Sequence, residues 1–142
     1  MQHYLFLSSR DAAHPGSSSG DFTIELPKRY DLKGHWECAL LEISFKSSYR
    51  QRLNVCCDLI EDSCIQKTLF PVLRVISTHE AVNGNSDYVH RTFERPYFFQ
   101  IRKKELDRVR IFIRGSDFQP LVLESPVQCV LLLRKKQKVW DP

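Results

Sequence analysis

Residues 21–45 constrain the fold more than any other part of the sequence, because two strand-like runs flank a turn-rich bend there. In residues 22–26 apolar and polar side chains alternate, which is the period of a strand with one face on a core and the other in water. Pro27 follows this run and predicts the end or the edge of the strand, since proline has no N–H to donate to a ladder.

The second run, residues 36–45, is apolar on both of its faces. One face carries Ala39, Leu41, Ile43 and Phe45, and the other carries Trp36, Cys38 and Leu40. A strand that is apolar on both sides needs cover on both sides. The run therefore predicts either the middle strand of a two-sheet sandwich or a sheet whose outer face meets another subunit.

Further short runs of strand composition are separated by turn and loop signals along the chain; they lie at residues 3–7, 53–60, 68–76, 88–100, 109–113 and 127–133. Pro71 predicts an edge position or a break at a strand start. Residues 102–107 are the only stretch that favours a helix, and they span less than two turns. The sequence predicts a single domain over residues 1–142 with an all-β fold, an antiparallel eight-stranded single jelly-roll sandwich with at most one short helix.

Two segments carry loop signals without strand patterning. Residues 10–20 are rich in Gly, Ser and Pro and predict a surface loop, and Asn83, Gly84 and Asn85 predict a turn.

Composition narrows the class of protein. The net charge of +4 indicates mild basicity, and no run approaches the roughly 18 to 20 apolar residues of a membrane span. The N-terminus lacks a basic region followed by an apolar core, so we expect neither a signal peptide nor a membrane protein. The five cysteines form no recognisable framework and favour buried free thiols in a reducing compartment, the cytosol or the nucleus.

The sequence offers no constellation for catalysis. Glu25, Glu37 and Glu42 fit the solvated faces of strands better than an acid/base pair, and the serines at 17–19 lack a GxSxG motif. Zinc binding by Cys56, Cys57 and Cys64 with His79 or His90 is disfavoured because CxxC and HxxxH pairs are absent. We expect no enzyme activity, no metal and no cofactor.

Basic residues raise nucleic-acid binding as an alternative. RKK runs occur at 102–104 and 134–136, Arg108, Arg110 and Arg114 could extend them into a stripe, and Tyr97, Phe98 and Phe99 could stack on bases. The sequence contains none of the recognised DNA- or RNA-reading motifs, so nucleic acid is not among the predicted partners. A monomeric β-barrel that binds nucleic acid or a protein ligand remains the alternative function.

Several quoted segments together resemble one viral family. A short aromatic strand at residues 4–8 is followed by FTIELP at 22–27, WECALLEI at 36–43 and RVRIFIRGSDFQPL at 108–121. This arrangement resembles the penton-type minor capsid proteins, the single-jelly-roll vertex proteins of adintoviruses and of Maverick or Polinton elements. Members of that family are usually longer, so loops that contact neighbours or project outward are expected to be trimmed here.

The resemblance implies a structural role. Penton-type proteins form homopentamers at the five-fold vertices of an icosahedral shell whose faces consist of a double-jelly-roll major capsid protein. It implies localisation in the virion, and in the host nucleus or cytoplasm before assembly.

The first candidates for subunit contacts are the two doubly apolar runs, residues 36–45 and 127–133. The individual candidates are Trp36, Phe112, Val130 and Leu132, whose side chains we expect a single subunit to leave exposed to water. The alternative is that these side chains belong to one larger core.

Overall fold

The structure, a computed structural model, describes residues 1–12, 19–78, 87–123 and 125–136. It contains a short 3-10 helix, Ser9–Asp11, and eleven strands: β1 (Gln2–Ser8), β2 (Asp21–Asp31), β3 (Trp36–Lys46), β4 (Arg52–Cys57), β5 (Ser63–Ile65), β6 (Thr68–Phe70), β7 (Val72–Ser77), β8 (Tyr88–Thr92), β9 (Phe99–Gln100), β10 (Glu105–Arg114) and β11 (Gln128–Lys135). The predicted turn at Asn83, Gly84 and Asn85, the terminal Trp140 and the candidate ligand His79 lie outside the described residues. None of the described segments is a helix with the length and apolar character needed to cross a membrane.

The strands form three antiparallel sheets. The first sheet has the order β1-β11-β3-β8, with β9 also pairing with β3, and the second has the order β2-β10-β4-β7. The third is the hairpin β5-β6. The prediction of an all-β antiparallel fold is confirmed, but the described chain has eleven strands in three sheets where eight strands were predicted.

The pairing of the eight strands other than β5, β6 and β9 follows a simple rule. The first pairs with the last, β1 with β11, and the second with the seventh, β2 with β10. The third pairs with the sixth, β3 with β8, and the fourth with the fifth, β4 with β7. This is the pattern of one long antiparallel ribbon that folds over on itself into two layers.

The inner faces of the first and second sheets enclose one hydrophobic core. Its largest fully buried side chains are Phe22, Phe45, Leu32, Leu40, Ile43, Leu53, Leu59, Ile60, Leu73, Leu106, Ile111 and Ile113. Burying a side chain of this size stabilises the fold by about 1.5–3 kcal/mol relative to leaving it in water. The core therefore holds the two layers together.

A β-bulge explains why β3 is apolar on both faces. The register between β3 and β11 shifts between Val130, which pairs with Glu42, and Leu131, which pairs with Leu40, so Leu41 is the extra residue. Before the bulge Trp36, Cys38 and Leu40 are buried in the core, and after it the buried core residues are Ile43 and Phe45. β3 lies inside the first sheet of the two-layer fold, which fits the first of the two alternatives for a strand that is apolar on both faces, and Ala39 on its other face is also buried. The bulge lets the inner face of β3 use two alternating sets of residues.

Two sequence-based boundaries differ from the structure. Pro27 does not end β2, which continues to Asp31, but β2 is an edge strand and its register to β10 shifts between Leu106 and Arg108, opposite the proline. An edge strand tolerates a residue that has no N–H to donate to a ladder.

The predicted helical connection at residues 102–107 is wrong, since β10 begins at Glu105. Pro71 separates β6 from β7, as predicted.

The hairpin β5-β6 covers part of the outer face of the second sheet. A small second cluster consists of Cys56, Val72 and Phe112 from that face, and Ile65, Phe70 and Phe118 pack against it. The rings of Phe70 and Phe118 are stacked, with centroids 4.5 Å apart. The β5-β6 hairpin and Phe118 thus cover the outer face of the second sheet in this region.

Candidate subunit interface

The carboxylates considered for catalysis lie in separate surface pairs. Glu37 accepts a hydrogen bond from Arg134 at 2.6 Å, and Glu42 contacts the His90 ring at 2.7 Å. Glu25 lies opposite Arg108 in the ladder between β2 and β10. Within the described parts of the chain, no three His, Cys, Asp or Glu residues come together as a metal site.

The four cysteines of the first and second sheets are buried. Burial raises the pKa of the Cys56 and Cys129 thiols to about 12, and it also raises the pKa of Cys38 and Cys57 far above the ordinary value. Thiolates are the reactive and metal-binding form of cysteine, so these side chains act as small apolar residues. Cys64, in β5, is the exposed free thiol.

Thiol reactivity should follow this burial. We expect a disulfide reagent such as DTNB to modify Cys64 alone in the native protein, and all five thiols after denaturation. Phe70→Ala should make Cys56 a second reactive site, because Phe70 packs against the cluster that contains it. The neighbouring exposed residue offers a control, since Leu69→Ala should leave one reactive thiol. Equal rates for Cys56 in both variants would contradict the covering role of Phe70.

An apolar surface lies on the outer face of the first sheet. Tyr4 pairs with Leu132 and Phe6 pairs with Val130 in the ladder between β1 and β11. Phe6 is 77% exposed and Tyr4 is 49% exposed, while Val130 and Leu132 are half-buried. We call these four side chains the apolar stripe.

A depression of about 330 Å³ adjoins the apolar stripe. Phe6 and Val130 line it on the apolar side, and Glu42, Ser44 and Gln128 line it on the polar side. Glu42 of this lining contacts the His90 ring, and the Tyr88 ring lies 6.5 Å from the His90 ring. The surface thus combines an apolar centre with a polar rim, as subunit contacts do.

The structure separates the four predicted contact residues into two groups. Val130 and Leu132 lie on the outer face, where a second chain can reach them. Trp36 and Phe112 are each 4% exposed, Trp36 in the main core and Phe112 under the β5-β6 hairpin, so neither offers a useful surface to a neighbour.

Tyr4 and Phe6 of the apolar stripe were not among the predicted contact residues. The signal was present in the sequence, since the run Tyr4, Leu5, Phe6, Leu7 places apolar side chains on both faces of β1. Leu5 and Leu7 are buried, which leaves Tyr4 and Phe6 on the outside.

Trp36 is fixed in the core by two contacts at one end of the sheet. Its indole Nε1 donates to the Lys33 carbonyl at 3.0 Å, and the His3 ring stacks on it with centroids 5.4 Å apart. The His3 ring also meets the Tyr30 ring edge-on at 4.9 Å. Burial between these rings lowers the pKa of His3, and the positive charges of Lys28 and the N-terminus lower it further.

His3 should make stability depend on pH. Because the folded state lowers its pKa below the ordinary 6.5, the unfolded chain binds the proton first as the pH falls. Stability should therefore be fully present above about pH 6.5 and decrease below it. Thermal unfolding at pH 7.5 and 5.5 measures this, and His3→Gln should show a smaller decrease than the wild type. If the variant loses as much thermal stability between pH 7.5 and pH 5.5 as the wild type does, His3 does not have this role.

Comparison with known proteins adds little to this description. No protein-family model matches the chain, and no curated protein matches it. A solved structure to which it is similar is the crystal structure of the infectious bursal disease virus VP2 subviral particle, with 10% sequence identity and a TM-score of 0.36. The match covers 93% of this chain and 32% of that chain, so this chain spans about a third of the viral protein's length. A similarity this loose assigns no family.

Proposed function

We propose that this chain is a single-jelly-roll capsid protein that assembles into pentameric vertices of an icosahedral particle. The strand pairing carries the proposal. A jelly roll is a double-sheet fold of eight strands built from two Greek keys, and it recurs in viral capsid domains. The pairing of first with last strand through to fourth with fifth is the arrangement expected when such a ribbon rolls up.

The apolar stripe supports assembly from copies of the chain. Exposed apolar patches on soluble proteins mark contact surfaces. The hairpin β5-β6 covers apolar side chains on the outer face of the second sheet, whereas the described chain leaves Phe6 and Tyr4 exposed on the first. A neighbouring subunit is the partner that would bury them.

The five-fold number and the shell partner rest on the sequence resemblance. Under it, a homopentamer would contact a double-jelly-roll major capsid protein in the virion, after accumulating in the host nucleus or cytoplasm. A closed ring uses heterologous contacts, so the apolar stripe must meet a different patch on the next subunit. The proposed role requires no catalytic step, no cofactor and no nucleic acid.

Light scattering and negative-stain imaging of the purified protein test this proposal together. We expect particles with the mass of five chains and rings of five-fold symmetry. A species that stays monomeric at every concentration, or a ring of another order, would contradict the pentamer. A stable monomer would favour the alternative of a monomeric β-barrel binding module.

A further inference from the structure

Four lysines meet at one end of the two-sheet core, away from the depression beside the apolar stripe. Three segments converge there, namely the turn from β2 to β3, the start of β10 and the end of β11. The Leu32 N–H donates to the Lys104 carbonyl at 2.7 Å, and the Lys136 N–H donates to the His35 carbonyl at 2.7 Å. We call the four exposed side chains the lysine cluster: Lys33, Lys104, Lys135 and Lys136.

Gly34 brings two of these side chains close to each other. Its φ of +90° places it in the left-handed region that favours glycine. The Lys104 ammonium donates to the Gly34 carbonyl at 3.1 Å. The Lys135 side chain lies across the same residue, since a Cβ added to Gly34 would be 3.0 Å from Lys135 Cε and 3.6 Å from its Nζ. Two ammonium groups therefore share one exposed turn.

Neighbouring carboxylates are engaged with other cations. Glu105 pairs with Arg29, Glu37 pairs with Arg134, and Asp58 pairs with Lys103. Asp31 lies opposite Glu105 in the ladder and is the nearby carboxylate of the turn itself. Among the described residues, none of the four clustered lysines forms an ion pair. Four ammonium groups against this one carboxylate of the turn leave the cluster with a net positive charge, which can attract an external anion.

The arginines that the sequence grouped with the lysines lie elsewhere. Arg110 donates two hydrogen bonds to Asp21, at 2.9 and 2.8 Å, and its guanidinium lies over the Phe112 ring. Arg114 also faces Phe112, on the outer face of the second sheet. Lys104 from one RKK run and Lys135 and Lys136 from the other belong to the lysine cluster, whereas Arg110 and Arg114 lie on the second sheet near Asp21.

We propose that the lysine cluster binds the phosphate backbone of nucleic acid without reading its sequence. Lysine ammonium groups are compact point charges that suit phosphate, and such binding needs no recognition motif. The Phe98 ring is covered by Arg134 at 3.4 Å and Trp36 is buried, so neither of these rings is open for stacking on a base. A peptide that adds to a sheet edge is recognised mainly through backbone hydrogen bonds and side-chain pockets, whereas the exposed side chains of the lysine cluster offer point charges, which suit a chain of phosphates.

Fluorescence anisotropy with a labelled 20-nucleotide single strand and a 20-base-pair duplex tests this inference. The wild type should bind both probes at 50 mM salt and lose affinity steeply by 200 mM. The triple variant Lys33→Ser, Lys104→Ser, Lys135→Ser should bind at least about tenfold more weakly. Its log–log salt slope should be reduced by roughly 0.7 to 0.9 for each phosphate that a lysine no longer neutralises.

The control variant also removes three positive charges, but from positions outside the lysine cluster. Lys46→Ser, Arg52→Ser and Lys67→Asn change three exposed cations outside the cluster, and we expect less than a twofold loss of affinity. Circular dichroism of both variants checks that they are folded. Absence of wild-type binding at 50 mM salt, or equal losses in the two triple variants, would overturn the proposal.

Polyglutamate used as a competitor separates nucleic acid from an acidic protein. Displacement of the probe at equal charge concentration would overturn the assignment in favour of an acidic segment. The inference does not depend on the proposed assembly, because the same comparison holds for a monomeric and for a pentameric protein.

Discussion

Deletion of Leu41 is expected to prevent the chain from folding into its native sheets. Leu41 is the extra residue of the bulge in β3, and its carbonyl accepts a hydrogen bond from the Phe93 N–H at 2.9 Å. Without it, either the residues before the bulge or Ile43 and Phe45 after it must turn to the outer face. Each large apolar side chain returned to water costs about 1.5–3 kcal/mol, whereas a domain of this kind has a net stability of only about 5–15 kcal/mol.

The substitution Leu41→Ala is the matched control for this deletion. It keeps the number of residues in β3, and Leu41 is half-buried, so we expect a loss of only about 1–2 kcal/mol, at or below the usual range for a core Leu→Ala change. Urea unfolding followed by tryptophan fluorescence compares the variants, because Trp36 lies in the core next to β11. A deletion variant that unfolds cooperatively with nearly wild-type stability would show that the bulge does not set the register.

Local sequence patterns predicted strands well where the apolar side chains of a strand pack against the core. The alternation in β10 and the apolar run of β11 both predicted strands that the structure contains. Residues 105–107 were assigned to a helix because their composition favours one, yet Leu106 is fully buried and pairs with Tyr30 of β2. Pairing with a strand some 75 positions earlier in the chain decides this segment, and local composition carries no information about that partner.

The sequence predicted two of the four residues of the candidate interface, and the reason again lies in contacts between distant segments. Val130 and Leu132 follow from the continuous apolar run of β11, whose outer face the described chain leaves partly open. Phe112 has the same kind of pattern in β10, but the β5-β6 hairpin reaches back over it. Whether an apolar outer face is covered depends on contacts between segments that are distant in the sequence. The local patterns of β10 and β11 therefore do not reveal that one is covered and the other is not.

Phe6→Asp is expected to abolish assembly while leaving the subunit folded. Phe6 is 77% exposed in the single chain, so its loss removes little from the core. In the proposed ring the same side chain would be buried, and its replacement by a carboxylate would remove its apolar burial and place a charge in the contact. A cost of about 3 kcal/mol for each contact weakens it by roughly a hundredfold. Sedimentation velocity should show monomers at concentrations where the wild type is assembled.

Leu69→Asp is the control that separates a specific contact from a general effect of added charge. Leu69 is 66% exposed and lies in the β5-β6 hairpin, away from the apolar stripe. It should leave the assembled state intact, and circular dichroism should show the same strand content in both variants as in the wild type. If Leu69→Asp dissociates the protein as completely as Phe6→Asp, the contact lies elsewhere or depends on net charge. If Phe6→Asp alone yields monomers, the neighbour packs against the outer face of the first sheet, where Val130 and Leu132 lie beside it.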